Sequence, residues 1–205
     1  VSIKKPINPK KQYTDNYAHR ASESLTMSLA FKKTANELKS KYKPKLSLEI
    51  GSNDGVFIKN FNKKKIIAVE PCGNLAKITN KKGFSTYNSF WDTKLSKKII
   101  NEKGKLNLIY SANTISHIPN LKETFKAISN CLADNGVFVF EDPYIGSVLK
   151  HNSYDQFYDE HVHLFSLISI SNIVKEQDLK IIDVELLKTH GGSIRFHVAK
   201  KYSKF

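Results

Sequence analysis

Tyr158, Glu160 and His161 fall within one short run, Tyr158-Asp159-Glu160-His161. Together they bring a hydroxyl, a carboxylate and an imidazole, the groups that move protons near neutral pH. A histidine is suited to accepting a proton, because its unperturbed pKa of about 6.5 leaves it often neutral yet still basic. The run sits in the segment from Asn152 to Ser166, where aromatic and ionisable residues this dense are costly in a core unless they bond to one another or to a ligand. The spacing leaves two arrangements open. In a helical turn Tyr158 and His161 share a face, whereas in an extended segment Tyr158 pairs with Glu160 and His161 points away. His161 and His163 could also be metal ligands, but no third histidine or cysteine stands at a supporting distance in the sequence, and no metal is expected.

A second set of residues points to a nucleoside. Leu46, Leu48 and Ile50 read as a short buried strand, followed by a turn bracketed by Gly51 and Gly55 that is expected to open into a helix with Val56, Phe57 and Ile58. Such a turn is expected to offer bare backbone N–H groups to a ligand. Glu49 precedes the first glycine by two residues and Asn53 lies between the glycines. The spacing departs from the G-x-G-x-x-G dinucleotide fingerprint. It resembles motif I of the class I S-adenosylmethionine methyltransferases, E/D-x-G-x-x-x-G. Glu70 ends the next apolar run, Ile66 to Val69, where a carboxylate can accept hydrogen bonds from both hydroxyls of a ribose.

These residues need a scaffold, and the pattern supplies one. Strand and helix signals alternate from Leu46 to Glu141, which implies a parallel sheet covered on both faces. A helix at Ser24 to Lys41 precedes it, with helices expected near Val56 to Asn62, Asn74 to Lys82, Leu95 to Asn101 and Leu121 to Leu132. The segment from Asp142 to Phe165 shows no clear period. A helix at Leu167 to Gln177 and two strands, Ile181 to Leu186 and Ile194 to Lys200, close the chain. The expected fold is α/β: a class I methyltransferase, Rossmann-like sheet of seven strands, mostly parallel with an antiparallel closing strand. Residues 1–23 read as a linker or tail and 24–205 as the domain. The fourth strand runs into Asn113 and His117, placed where ligands bind open α/β sheets.

Composition excludes other classes. The 205 residues suit one domain, and no apolar run is long enough to span a membrane. Neither membrane association nor a secretory leader is expected, and the location expected is cytoplasmic. The net charge of +14 would attract nucleic acid, yet of 33 basic residues only Arg20 and Arg195 are arginine, the better reader of phosphate and base edges. No nucleic-acid partner is expected. Cys72 and Cys131 show neither metal nor disulfide spacing.

The ordered motifs Glu49-Ile50-Gly51-Ser52-Asn53-Asp54-Gly55, Val69-Glu70-Pro71, Ala112-Asn113 through Pro119, Glu141-Asp142-Pro143-Tyr144, Tyr158-Asp159-Glu160-His161 and His190-Gly191-Gly192-Ser193-x-Arg195 resemble the C-methyltransferases that act on C3 of nucleotide-linked 4-keto sugars. The resemblance implies S-adenosyl-L-methionine as cofactor and a nucleotide-linked sugar as substrate. It also implies that His161 is the base, with Tyr158 and Glu160 beside it, and that Asn113, His117 and one of Tyr13 or Tyr17 face the sugar. Glu49, Gly51, Asn53, Gly55 and Glu70 would hold the cofactor, with Phe90 or Trp91 over the adenine. Members of that family typically carry an N-terminal zinc module and a further C-terminal domain, which suggests that this chain is a fragment. A small-molecule O- or N-methyltransferase and an inactive cofactor-binding domain are the alternatives.

Overall fold

The computed structural model describes residues 1–205, apart from the side chain of His190, so that part of the H-G-G-S-x-R motif lies outside the described residues. In chain order the strands are β1 (Ser47–Ile50), β2 (Ile66–Val69), β3 (Ser85–Tyr87), β4 (Leu106–Ala112), β5 (Leu132–Pro143), β6 (Leu179–Leu187) and β7 (Ser193–Lys200). They form one sheet in the order β3-β2-β1-β4-β5-β7-β6. Its neighbours are parallel except for β7, which runs antiparallel between β5 and β6. This is the expected sheet. The helices are α1 (Pro9–Gln12), α2 (Leu25–Tyr42), α3 (Gly73–Lys81), α4 (Thr93–Lys103), α5 (Leu121–Cys131), α6 (Ile145–His151) and α7 (Leu167–Lys175). None of the helices is long and apolar enough to cross a membrane.

Burial on both faces explains why the central strands read as continuous apolar runs. Every residue of β2 is buried, and alternate residues of β5 serve opposite layers: Phe138 and Phe140 pack with α4, α5 and α7, while Val137 and Val139 pack with α2. Helix α2 begins where Ser24 caps it, accepting from the Met27 N–H at 3.2 Å. It buries Phe31, Thr34, Ala35 and Leu38, one face at helical spacing.

Two stretches differ from expectation. No α-helix follows Gly55; only a 3₁₀ turn forms, Ile58–Asn60. Val56, Phe57 and Ile58 are all buried, and Phe57 stacks on Tyr110 at 3.9 Å between centroids, so the chain plugs the core without leaving a polar face. The segment after β5 in turn contains α6, which buries only Val148 and thus carries no apolar stripe to read. The segment taken for a tail also packs on the domain. Val1 and Leu164 exchange N–H···O bonds, and Ile3 N–H donates to Val162 O at 2.8 Å.

The Arg195 of the H-G-G-S-x-R motif is structural. Arg195 is 5% exposed, and its guanidinium donates to Glu141 Oε2 at 2.7 Å, to Glu185 Oε2 at 3.1 Å and to Thr34 Oγ1 at 2.8 Å, tying β5, β6, β7 and α2. Removing one member of such a network leaves the buried Glu141 carboxylate uncompensated. Arg195→Ala is therefore expected to cost about 3–5 kcal/mol in urea unfolding; a loss below about 1 kcal/mol would show that the network holds little.

Candidate active site

The carboxyl end of β1 lies between β2 and β4, at the point where strand order reverses and α/β sheets bind ligands. A cavity of about 700 Å³ opens there, and Glu49, Gly51, Asn53, Glu70 and Phe90 line it. That size suits a small-molecule site. Gly51 has φ +74° and a Cβ there would collide with the Thr114 side chain, so only glycine lets the turn and the β4 loop approach. Gly55, φ +91°, faces Thr79 and Ile58 and does not line the cavity. Its part is to shape the turn.

The turn does not offer bare N–H groups, contrary to expectation. Gly51 and Ser52 both donate to Val69 O, Gly55 to Ser52 O and Asn53 to Glu70 Oε2 at 2.7 Å. The cavity instead presents carboxylates. Glu70 Oε1 accepts from Cys72 N–H at 2.9 Å, and each oxygen keeps a second acceptor site for a ribose hydroxyl. Burial raises the Glu70 pKa, against the pull of these two N–H bonds. Glu49 is 2% exposed, and its Oε2 has no hydrogen-bond partner. Burial, then the nearby charges of Glu70 and Asp54, raise its pKa well above the ordinary value. A buried acceptor without a donor is matched by a ligand that brings a cation or an N–H. Trp91 packs into the core, its indole N–H bonded to Thr124 O at 3.3 Å, yet it lines the cavity as well, next to Phe90, which stands edge-on to Tyr13.

At the other end Tyr158 to His161 form a turn, closed by His161 N–H donating to Tyr158 O at 3.0 Å. Tyr158 and His161 therefore share a face. The Tyr158 hydroxyl lies 3.0 Å from His161 Nε2, and His161 Nδ1 lies 2.8 Å from the Gln156 carbonyl. A carbonyl can only accept, so Nδ1 carries the hydrogen, and Nε2 of the neutral ring accepts from Tyr158. Burial, then the charge of Glu160, raise the Tyr158 pKa and keep that hydroxyl protonated. His117 faces this pair with its ring 5.3 Å from that of His161. Burial, then repulsion from His161, lower its pKa to about 3; the Glu160 oxygen 3.9 Å away is thus no ion-pair partner at neutral pH. Asn113 lines the same cavity in a left-handed conformation, φ 48°.

Residues 13–22 cross this cavity as a strap. The Tyr13 hydroxyl lies 2.9 Å from His117 Nδ1, and Tyr17 donates to Glu160 Oε2 at 3.1 Å. Both tyrosines, left as alternatives by the sequence, therefore reach the site. Burial and then Glu160 raise both their pKa values. Asp15 accepts from Gly73 N–H at 3.0 Å, Asn53 Oδ1 from Ala21 N–H at 2.9 Å, and the Ser22 hydroxyl bonds to Asp54. His163 is bound elsewhere, to Ser2 and to the Ile118 carbonyl. Among the described residues, a set of His and carboxylate groups close enough to share an ion, Asp183, Glu185 and His197, lies on β6 and β7 outside the cavity.

Residues 17–184 match the family model described as a methyltransferase domain. The chain belongs to this family. The C-methyltransferase NovU of Streptomyces niveus is 32% identical over 151 residues, which are 73% of this chain and 36% of NovU. The chain thus spans about a third of that relative's length. Among solved structures, the PH0226 protein of Pyrococcus horikoshii superposes with a TM-score of 0.68 at 11% identity, covering 89% of this chain and 94% of that one. A methyltransferase from Clostridium acetobutylicum gives 0.65 at 17% identity, covering 84% and 92%. The magnesium protoporphyrin IX methyltransferase of Synechocystis gives 0.62 at 8% identity, covering 86% and 88%. At these identities the likeness speaks to the fold: the S-adenosylmethionine-dependent class I fold.

Within this methyltransferase site, sequence reasoning missed Gln156 and Thr114. Gln156 acts through its carbonyl, which any residue supplies, and Thr114 through its packing on Gly51. Neither leaves a signal in residue type. Two outcomes test the site. Glu70→Ala is expected to weaken S-adenosylmethionine binding by about 1–3 kcal/mol in calorimetry, the scale of hydrogen bonds to a charged group. His117, folded pKa about 3, favours the fold fully above its unfolded pKa of about 6.5, and loses that contribution as pH falls from there toward 3. The wild type should therefore lose stability over that range by up to about 1.4 kcal/mol per pH unit more than His117→Asn, as measured by urea unfolding at each pH.

Proposed function

We propose that this methyltransferase methylates carbon C3 of a nucleotide-linked 4-keto sugar through an enolate. The observation that carries the reading is the Tyr158–His161–Gln156 chain facing His117 across one cavity, continuous with the Gly51 and Glu70 end. The kinship with a relative described as a C-methyltransferase supports it. So do the motifs shared with the sugar C-methyltransferases.

Methyl transfer to carbon needs a base, a donor for the developing enolate oxygen and alignment. His161 is the base in this reading. Its Nδ1–H is fixed on the Gln156 carbonyl, so the ring offers Nε2, and the same carbonyl stabilises the imidazolium that forms. The Tyr158 hydroxyl occupies Nε2; the substrate proton either passes through that hydroxyl or displaces it. With Tyr13 donating to His117 Nδ1, the hydrogen of the neutral ring sits on Nε2, a buried atom without a hydrogen-bond partner. That N–H is suited to the enolate oxygen. Tyr17 and Glu160 hold each other beside it.

S-adenosylmethionine, when bound, supplies a methyl group on a sulfonium. In this reading Glu70 would hold its ribose, Glu49 and the Gly51 turn its methionine part, and Phe90 its adenine. The unpartnered Glu49 oxygen, and a turn whose backbone N–H groups are bonded within the protein, fit a cationic cofactor better than a pyrophosphate, which asks for several donors.

With demethylated cofactor and a panel of 4-keto sugar nucleotides, the chain is expected to wash solvent deuterium into C3, and with S-adenosylmethionine to methylate the same carbon. His161→Ala should lower both by about 10²- to 10⁴-fold while cofactor affinity stays level. Exchange that survives in His161→Ala but collapses in Tyr158→Phe would make Tyr158 the base. Methylation only of oxygen or nitrogen acceptors would overturn the reading.

A further inference from the structure

Asp142 does not line the cavity, yet it is fully buried at the end of β5. Its Oδ1 accepts two hydrogen bonds from Ser116, one from the backbone N–H at 3.1 Å and one from the hydroxyl at 2.5 Å. Ser116 immediately precedes His117 in the 3₁₀ turn Ile115–His117. The other side of this turn is held as well. Ser116 O accepts from His163 N–H at 2.9 Å, and His163 Nε2 lies 3.2 Å from the Ile118 carbonyl, to which it can only donate. His163 follows His161 by two residues. One short turn is thus clamped between β5 and the loop that carries His161.

The clamp is not a cheap way to fill a core. Burial pushes the Asp142 carboxyl up to about 7, and its Oδ2 has no hydrogen-bond partner. An isolated carboxylate is retained in such a place at a cost. What it supplies is an acceptor that takes two donors at a single oxygen, fixing both the position and the tilt of the Ser116 peptide. Hydrogen-bonded side chains behind a site hold its groups to the tolerance that chemistry needs.

We propose that Asp142 is a positioning residue of the transfer reaction: by clamping Ser116 it sets where His117 stands relative to His161 and the acceptor. The inference rests on the roles given above to those two histidines, so its test has one arm that needs no acceptor.

In ¹⁵N-histidine spectra of the full chain, His117 should show no titration between pH 5 and 8. In Asp142→Ala the slackened turn should bring its midpoint back toward about 6.5, while Asp142→Asn, which keeps an acceptor of the same shape, should leave it silent. The groups facing His117, namely Tyr13, Glu160 and His161, are the same in all three proteins. With an accepted substrate, Asp142→Ala should lower kcat by about 10- to 100-fold, the effect of a small misplacement. Its affinity for S-adenosylmethionine should stay within about twofold, and Asp142→Asn should restore kcat to within about threefold. Ser116→Ala, which keeps the N–H bond and removes the hydroxyl, should fall between and gives the reading if Asp142→Ala does not fold. Wild-type kcat and a silent His117 in both Asp142→Ala and Ser116→Ala would overturn the proposal, as would a loss of cofactor affinity as large as the loss of turnover. Failure of the sugar assignment alone leaves the spectra unchanged.

Discussion

One buried carboxylate joins the parts of this site. Glu70, at the tip of β2, accepts from Asn53 N–H on one oxygen and from Cys72 N–H on the other, so it staples the glycine turn to the start of α3. Both loops would otherwise end in unsatisfied donors beside a cavity. The strap then attaches to the stapled unit, through Ala21 to Asn53 and through Asp15 to Gly73. The same side chain lines the cavity, which means that the group that organises the loops is also available to a ligand.

The electrostatics follow from this geometry. The N–H groups of the turn are spent inside the protein, and what faces the cavity is acceptor-rich: Glu49, Glu70 and Glu160. The turn resembles a phosphate cradle in sequence because glycines serve both, yet its hydrogen bonds run the other way. At the reacting end burial acts on histidine and tyrosine alike, lowering His117 and raising Tyr13, Tyr17 and Tyr158. All four are held uncharged, as hydrogen-bonding groups whose charge changes little over the physiological range.

Much of this was legible in the sequence because the relevant signals are local. Strands buried on both faces leave unbroken apolar runs, and the spacing of Gly51, Gly55 and Glu70 follows from one strand, one turn and one crossover. Tyr158 and His161 could be placed on one face only conditionally, since nothing in four residues decides between turn and strand. The helix expected after Gly55 failed because Val56, Phe57 and Ile58 are apolar on every side, a pattern that a buried irregular segment and a buried helix share. Asp142 stood in the sequence only as a member of the Glu141-Asp142-Pro143-Tyr144 motif, with no partner to give it a role. Its partner is 26 residues away, and such pairings are set by topology.

The strap has a consequence for how the molecule is made. Tyr13 finds His117 across 104 positions, Tyr17 finds Glu160 across 143, and Val1 finds Leu164 across 163. During vectorial synthesis this segment emerges before the domain it covers, but its docking surface exists only after β5 and the loop beyond it have been translated and seated. Closing loops of that length precedes any reward from the contacts they allow. The roof of the active site is therefore made before the walls it rests on, and is among the last parts to be set in place.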